Sequence, residues 1–184
     1  RYYCILDVEA TCAENDRTLP NEVIEFPVIL LDARTLTRVA EFRSFVRPRL
    51  SRTLSSFCTS LTGIRQEQVD AAASFPVVLK RFRAFLKAHG VGPNNMRFIT
   101  DGPCDIRDFV TTSCRAHGIP VPRIFRGYVN VRKLAQRIYG GKGATINFKG
   151  MMRLFGLELE GRQHSGIDDA RNITRAVIRM MEDG

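Results

Sequence analysis

The sequence predicts an α/β sandwich built on a mixed sheet. Three observations carry this reading: strand-like runs crowd into the stretch up to Val46, helical patterns with one further strand fill the remainder, and the first strand is apolar on both faces.

Tyr2 to Leu6 is apolar throughout and continues into Asp7-Val8-Glu9-Ala10-Thr11. The polar stretch Asn15 to Asn21 separates it from a second strand over Glu22 to Asp32. Pro27 inside that run predicts an edge position or a bulge, because proline removes a ladder donor. Asp32-Ala33-Arg34-Thr35 reads as a turn into a third strand around Val39 to Val46, so the opening is an antiparallel meander. Short helical pieces are expected at Ser55 to Leu61 and Gln66 to Ala72.

An amphipathic helix follows from Phe75 to His89, with Val78, Leu79, Phe82, Phe85 and Leu86 on one face and Gly90 stopping it. Met96 to Thr100 is the next strand. Asp101-Gly102-Pro103 breaks the chain before a helix from Cys104 to His117, ended by Gly118 and Pro120. Further helices are expected at Val131 to Tyr139, Asn147 to Phe155 and Ser165 to Glu182, with Gly140 to Gly143 as a mobile basic loop.

At 184 residues and 44% hydrophobic, the chain can bury one sizeable core and shows no repeat, so a single domain over residues 1–184 is expected. It starts at Arg1, immediately before a strand, and is read as a fragment of a longer protein. No apolar run is long enough for a membrane span. The net charge of +9 favours a polyanionic partner, although the cations are spread out, with loose concentrations at Arg47/Arg49, Lys80/Arg81/Arg83, Arg132/Lys133 and Lys142/Lys149/Arg153. Cys4, Cys12, Cys58, Cys104 and Cys114 form no C-x-x-C pair and are odd in number, which argues for a reducing compartment and against a disulfide framework.

Asp7 and Glu9 stand at i and i+2 of a strand, so both project from one face about 7 Å apart. A lone D-x-E ordinarily marks an edge strand with a solvated face. Here the preceding residues are apolar on both faces, and burying two carboxylates there is costly unless a cation or protonation compensates. Helical geometry sorts further acids. In the last helix, Ile167, Ala170, Ile173, Val177 and Met180 define the core face, which leaves Asp168 pointing away and Asp169 about a quarter-turn from the core, placed to line a cleft. In the Cys104 helix, Asp105 lies on the flank and Asp108 outward, with Asp101 at the strand end as the rival to Asp105. His164, just ahead of the last helix, is a candidate to deprotonate an attacking water beside such a cluster.

Asp7-x-Glu9, Asp105, His164 and Asp169 together resemble the DEDDh family of 3′-to-5′ exonucleases. The strings YYCILDVEATC, EVIEFPVILLD, FCTSLTGI, QVD, TDGPCD and GRQHSGIDDARNI are similar to its enhanced-RNAi and histone-mRNA 3′ exonuclease branch, from Tyr2 to the last helix. The resemblance implies an RNase H-like αβα sandwich with a mixed, mostly five-stranded sheet. It further implies that Asp7, Glu9, Asp105 and Asp169 hold two Mg²⁺ or Mn²⁺ ions, that His164 is the general base, and that Ala10, Thr11, Leu61, Thr62 and Ile64 line a pocket for the terminal nucleotide. Cys104 stands where this branch has tryptophan, so stacking near Asp105 differs.

The implied activity is a metal-dependent exoribonuclease releasing nucleoside 5′-monophosphates from single-stranded RNA 3′ ends or short overhangs, inside the cell in cytoplasm or nucleus. The RNAs suggested by the resemblance are small RNAs, histone messages and ribosomal RNA precursors. Two alternatives stand beside it: a DNA-preferring exonuclease, since the acids cannot read a 2′-OH, and a non-catalytic RNA-binding adaptor. A Gly-rich dinucleotide or P-loop enzyme is not supported, because GGKG at Gly140 to Gly143 lacks the strand context.

Overall fold

The computed structural model describes residues 1–16, 18–140 and 146–183. Gly141, Lys142 and Gly143 of the expected basic loop lie outside them. Four strands of five residues or more, β1 (Tyr2–Leu6), β3 (Val23–Asp32), β4 (Arg38–Arg47) and β6 (Met96–Thr100), carry the sheet. Three two-residue pieces, β2 (Glu9–Ala10), β5 (Ala73–Ser74) and β7 (Val129–Asn130), complete it. The order is β5-β4-β3-β1-β6-β7, with β2 also on β3. β1, β3 and β4 form the expected antiparallel meander, while β6 joins β1, and β7 joins β6, in parallel.

Alternation along the strands divides the core into two layers. Cys4, Leu6, Phe26, Val28 and Leu30 face α3 (Phe75–Ala88), where Val78, Phe82 and Leu86 are buried. Ile5, Ile29, Leu31 and Ile99 face α5 (Val131–Tyr139), α6 (Phe148–Leu154) and α7 (Gly166–Glu182), through Val131, Met151, Ile167 and Ile173. Helices on both faces make the αβα sandwich. Phe82 is fully buried and meets Phe26 at 5.3 Å and Phe42 at 5.4 Å between ring centroids. Truncating such a ring to alanine costs about 3–5 kcal/mol.

Pro27 does not mark an edge. β3 is interior, between β1 and β4. The proline lies one residue beyond the Leu6↔Val28 pair, opposite the break between β1 and β2, where the ladder is already interrupted. That break carries Asp7 and Val8, and it is the structural origin of the site.

The Cys104 helix also departs from expectation. Its first six residues, Asp105–Val110, form a π-helical turn, and only Thr111–Ala116 (α4) is α-helical. Asp105, at the start of the π-turn, is buried, while Asp108 points outward and pairs with Arg107.

Candidate active site

The site sits where β1 ends, β6 ends, the π-turn begins and α7 starts. Asp7 and Glu9 continue the face that carries Ile5, and α7 is docked directly onto that face. Gly166 makes the docking possible: a Cβ there would lie 2.5 Å from the Asp7 carbonyl and 3.1 Å from Pro27 Cγ. Its N–H donates to Glu25 Oε2 (3.1 Å), and Glu25 Oε1 accepts from Arg43 Nε (2.6 Å). Asp169, in the first turn of α7, is thereby brought against the strands.

Carboxylate oxygens of Asp7, Glu9 and Asp169 lie within 4.8 Å of one another. Asp169 Oδ2 accepts the His164 backbone N–H at 2.8 Å, whereas its buried Oδ1 has no hydrogen-bond partner among the described residues. An orphaned carboxylate oxygen inside a cluster of like charges fits a bound cation. Asp105 approaches from the other side. Its Oδ1 accepts Val8 N–H at 2.9 Å, and it lines the same cleft without belonging to the close group of three.

The electrostatics agree. Burial, reinforced by Asp105, Glu9 and Asp169, pushes the Asp7 carboxyl well above its usual range. Burial and then the facing Glu25 raise Glu9 to about 9. Asp105 is raised to about 7 by burial, against the opposing pull of the Val8 N–H, and Asp169 to about 6 by burial, against that of the His164 N–H. Four acids are held in positions where they resist ionisation without a cation.

His164 is exposed, with a left-handed φ of 61°. Burial of part of its ring, with Lys149 and Arg162 nearby, lowers its pKa, which keeps the imidazole neutral and able to accept a proton at neutral pH. The loop before it is tied across the cleft by Arg162, whose Nη2 donates to the carbonyls of Ser60 (2.6 Å) and Leu61 (3.3 Å) at the end of α1 (Ser56–Thr62).

Two adjoining cavities, of about 300 and 130 Å³, share Asp7, Asp101 and His164. Ala10, Thr11 and Leu61 line the larger one, together with Asn21, Cys104, Phe109 and Arg132. Thr62 and Ile64 stand behind the wall. Thr62 Oγ1 donates to Cys58 O and accepts Ile64 N–H, and Ile64 is buried with Ile24, Leu54, Cys58 and Val69. Phe109 and Arg132 gave no sequence signal for a site: the phenylalanine reads as core at α-helical phase, and the arginine as one of many dispersed cations.

Asp101, the rival to Asp105, lines both cavities. It pairs with Arg132 (Nε to Oδ1, 3.7 Å), and its buried Oδ1 makes no hydrogen bond among the described residues. Asp168, by contrast, accepts from Arg162 N–H (3.1 Å) and pairs with Arg171 (3.3 Å), away from the cluster of three.

Comparison with known proteins matches this geometry to one family. The family model described as "Exonuclease" (RNase_T) covers residues 4–177. Mouse "3'-5' exoribonuclease 1" is 39% identical over 185 residues, spanning 100% of this chain and 54% of the relative. The chain thus spans about half the length of the curated mammalian relatives of that name. A structure described as the nuclease domain of 3'hExo, a DEDDh family member, bound to rAMP superposes with a TM-score of 0.95 at 38% identity, covering 100% of this chain and 92% of that one. Another, described as 3'-end specific recognition of histone mRNA stem-loop by 3'-exonuclease, gives 0.94 at 38% identity, covering 100% and 64%.

Proposed function

The chain belongs to the exonuclease (RNase_T) family, in its DEDDh 3′-to-5′ branch, and on that premise we propose that it hydrolyses RNA from the 3′ end, releasing nucleoside 5′-monophosphates. The observation that carries the proposal is the convergence of Asp7, Glu9 and Asp169 within 4.8 Å, with Asp105 and His164 on the same cleft.

In this reading Asp7, Glu9, Asp105 and Asp169 hold two Mg²⁺ or Mn²⁺ ions. Such ions supply Lewis acidity and offset the charge of the phosphate in the displacement. His164, neutral at pH 7, takes the proton of the attacking water. The backbone of its loop is fixed by the bond to Asp169, so the ring is delivered to the same place as the carboxylates. Ala10, Thr11 and Leu61 form the apolar wall against which the terminal nucleotide rests, a contact that tolerates any base. Thr62 and Ile64 support that wall from behind.

Residues 1–184 act as one catalytic domain in this account. No helix among the described residues is long and apolar enough to cross a membrane. The five cysteines are free, which fits the reducing interior of a cell. Single-stranded RNA 3′ ends or short overhangs, including those on structured RNAs of the kind named for the histone stem-loop structure, are the substrate class we assign.

The test is a matched pair of RNA and DNA oligomers of one sequence, with products identified by chromatography. Faster RNA hydrolysis yielding nucleoside 5′-monophosphates supports the assignment. Faster DNA hydrolysis, or nucleoside 3′-monophosphate products, contradicts it.

A further inference from the structure

The cleft poses an electrostatic problem that the four acids do not solve. Asp7, Glu9, Asp101, Asp105 and Asp169 all face it or its floor, and the substrate is itself an anion. Among the described residues lining the two cavities, Arg132 is the single arginine or lysine.

Arg132 is well placed for more than charge balance. Strand register brings it there: β1 and β6 run parallel with Ile5 opposite Ile99, so two residues further on Asp101 lies beside Asp7 at the strand ends. β7 then leads directly into α5, whose second residue is Arg132. The Asp101 carboxylate lies 3.7 Å from Arg132 Nε, an ion pair too long for a hydrogen bond. The guanidinium makes no hydrogen bond among the described residues, and its Nη2 lies over Gly102, where a Cβ would come within 3.3 Å. Arg132 is partly shielded, with a third of its side chain exposed. A guanidinium whose Nε faces a carboxylate leaves its two Nη groups as a fork that matches two oxygens of a phosphate.

We propose that Arg132 contacts the phosphate of the terminal RNA linkage and that Asp101 is a positioning residue that aims it. The proposal rests on the exoribonuclease reading and adds to it a substrate contact and the residue that orients it. Asp101 acts here through Arg132. Its Oδ1, which makes no hydrogen bond among the described residues, is the carboxylate oxygen that pairs with Arg132 Nε.

The experiment measures binding of two short single-stranded RNAs by fluorescence anisotropy in Ca²⁺. One RNA is native and the other carries an uncharged methylphosphonate at the last linkage. Wild type, Arg132→Gln, Arg132→Lys, Asp101→Asn and the double variant are compared, and Mn²⁺ affinity is measured separately without RNA. Arg132→Gln should weaken the native RNA about tenfold and leave the methylphosphonate RNA bound as by wild type, with Arg132→Lys recovering only part. Asp101→Asn should cause a smaller loss that vanishes in the Arg132→Gln background, with Mn²⁺ affinity unchanged. Equal loss on both RNAs, or no loss, overturns the phosphate contact. A fall in Mn²⁺ affinity in Asp101→Asn matching that of Asp169→Ala makes Asp101 a metal ligand and overturns the positioning role. A wild-type protein that binds neither RNA overturns the exoribonuclease reading itself, and the proposal with it.

Discussion

Val8 and Asp105, 97 residues apart in sequence, are joined by a 2.9 Å hydrogen bond from the Val8 N–H to Asp105 Oδ1. The bond clamps the π-turn onto the break between β1 and β2, and so fixes Asp105 relative to Asp7 and Glu9 on either side of Val8. Asparagine at 105 keeps a carbonyl for the same N–H but gives up the charge. Asp105→Asn should therefore retain stability while losing turnover by about 100-fold or more, whereas Asp105→Ala should also lose about 1–3 kcal/mol for the orphaned donor. Urea denaturation alongside a nuclease assay separates the two effects. An Asn variant with wild-type turnover would remove Asp105 from the metal set.

The raised acids make a pH prediction. A carboxyl whose folded-state pKa exceeds its unfolded value near 4 contributes stability that is complete below that value and is lost as pH rises through the folded pKa. With Asp169 at about 6, Asp105 at about 7 and Glu9 at about 9, the metal-free protein should lose stability steadily from about pH 5 to pH 9. Divalent ions stabilise the ionised forms and should flatten that decline. Thermal melts in EDTA and in Mn²⁺ across this range check it. Parallel curves in the two conditions would show that the cluster does not bind the ion.

Glu9 and Glu25 face each other across the β2–β3 ladder, and among the described residues Glu25 is the one of the two with an ion-pair partner, Arg43. Glu25 also anchors Gly166, which has no room for a side chain. Gly166→Ala should push α7 off the strand break, destabilise the fold by about 1–3 kcal/mol and weaken Mn²⁺ binding by about tenfold. Isothermal titration on the folded variant measures the second effect. Unaltered Mn²⁺ affinity would mean that Asp169 is positioned by something other than this contact.

His164→Ala should slow turnover by about 100-fold or more at neutral pH while leaving Mn²⁺ affinity near that of wild type. The reason is structural: Asp169 is held by the His164 backbone N–H, which alanine retains. Loss of metal affinity matching that of Asp169→Ala would contradict the assignment of His164 as base.

Much of this was legible in the sequence because it depends on short-range periodicity. Continuous apolar runs at Tyr2 to Leu6 and Glu22 to Asp32 predict the central strands. Period 3.6 in the last helix separates Asp169 from Asp168, and the structure buries the first and leaves the second partly exposed, paired with Arg171. What escaped depends on tertiary contact. The π-turn at Asp105 is tied to Val8 in the break between β1 and β2, a contact that local propensity does not contain. Pro27 predicts an edge or a bulge, and the choice between an edge and its actual place opposite the break at Asp7 is a matter of register. The left-handed φ of His164, unusual for a non-glycine residue, is fixed by Asp169 and the α7 docking. Arg132 became notable only when folding left it as the one arginine or lysine among the described residues lining the cleft.

The most direct test of the central claim is gel-resolved digestion of 5′-labelled single-stranded RNA with Mg²⁺, Mn²⁺ or EDTA, beside the Asp7→Ala protein. The account predicts a ladder that shortens from the 3′ end with either metal and is absent in EDTA and in the variant. Intact RNA with both metals, from folded protein that binds the RNA, would contradict it and leave an RNA-binding adaptor as the better description.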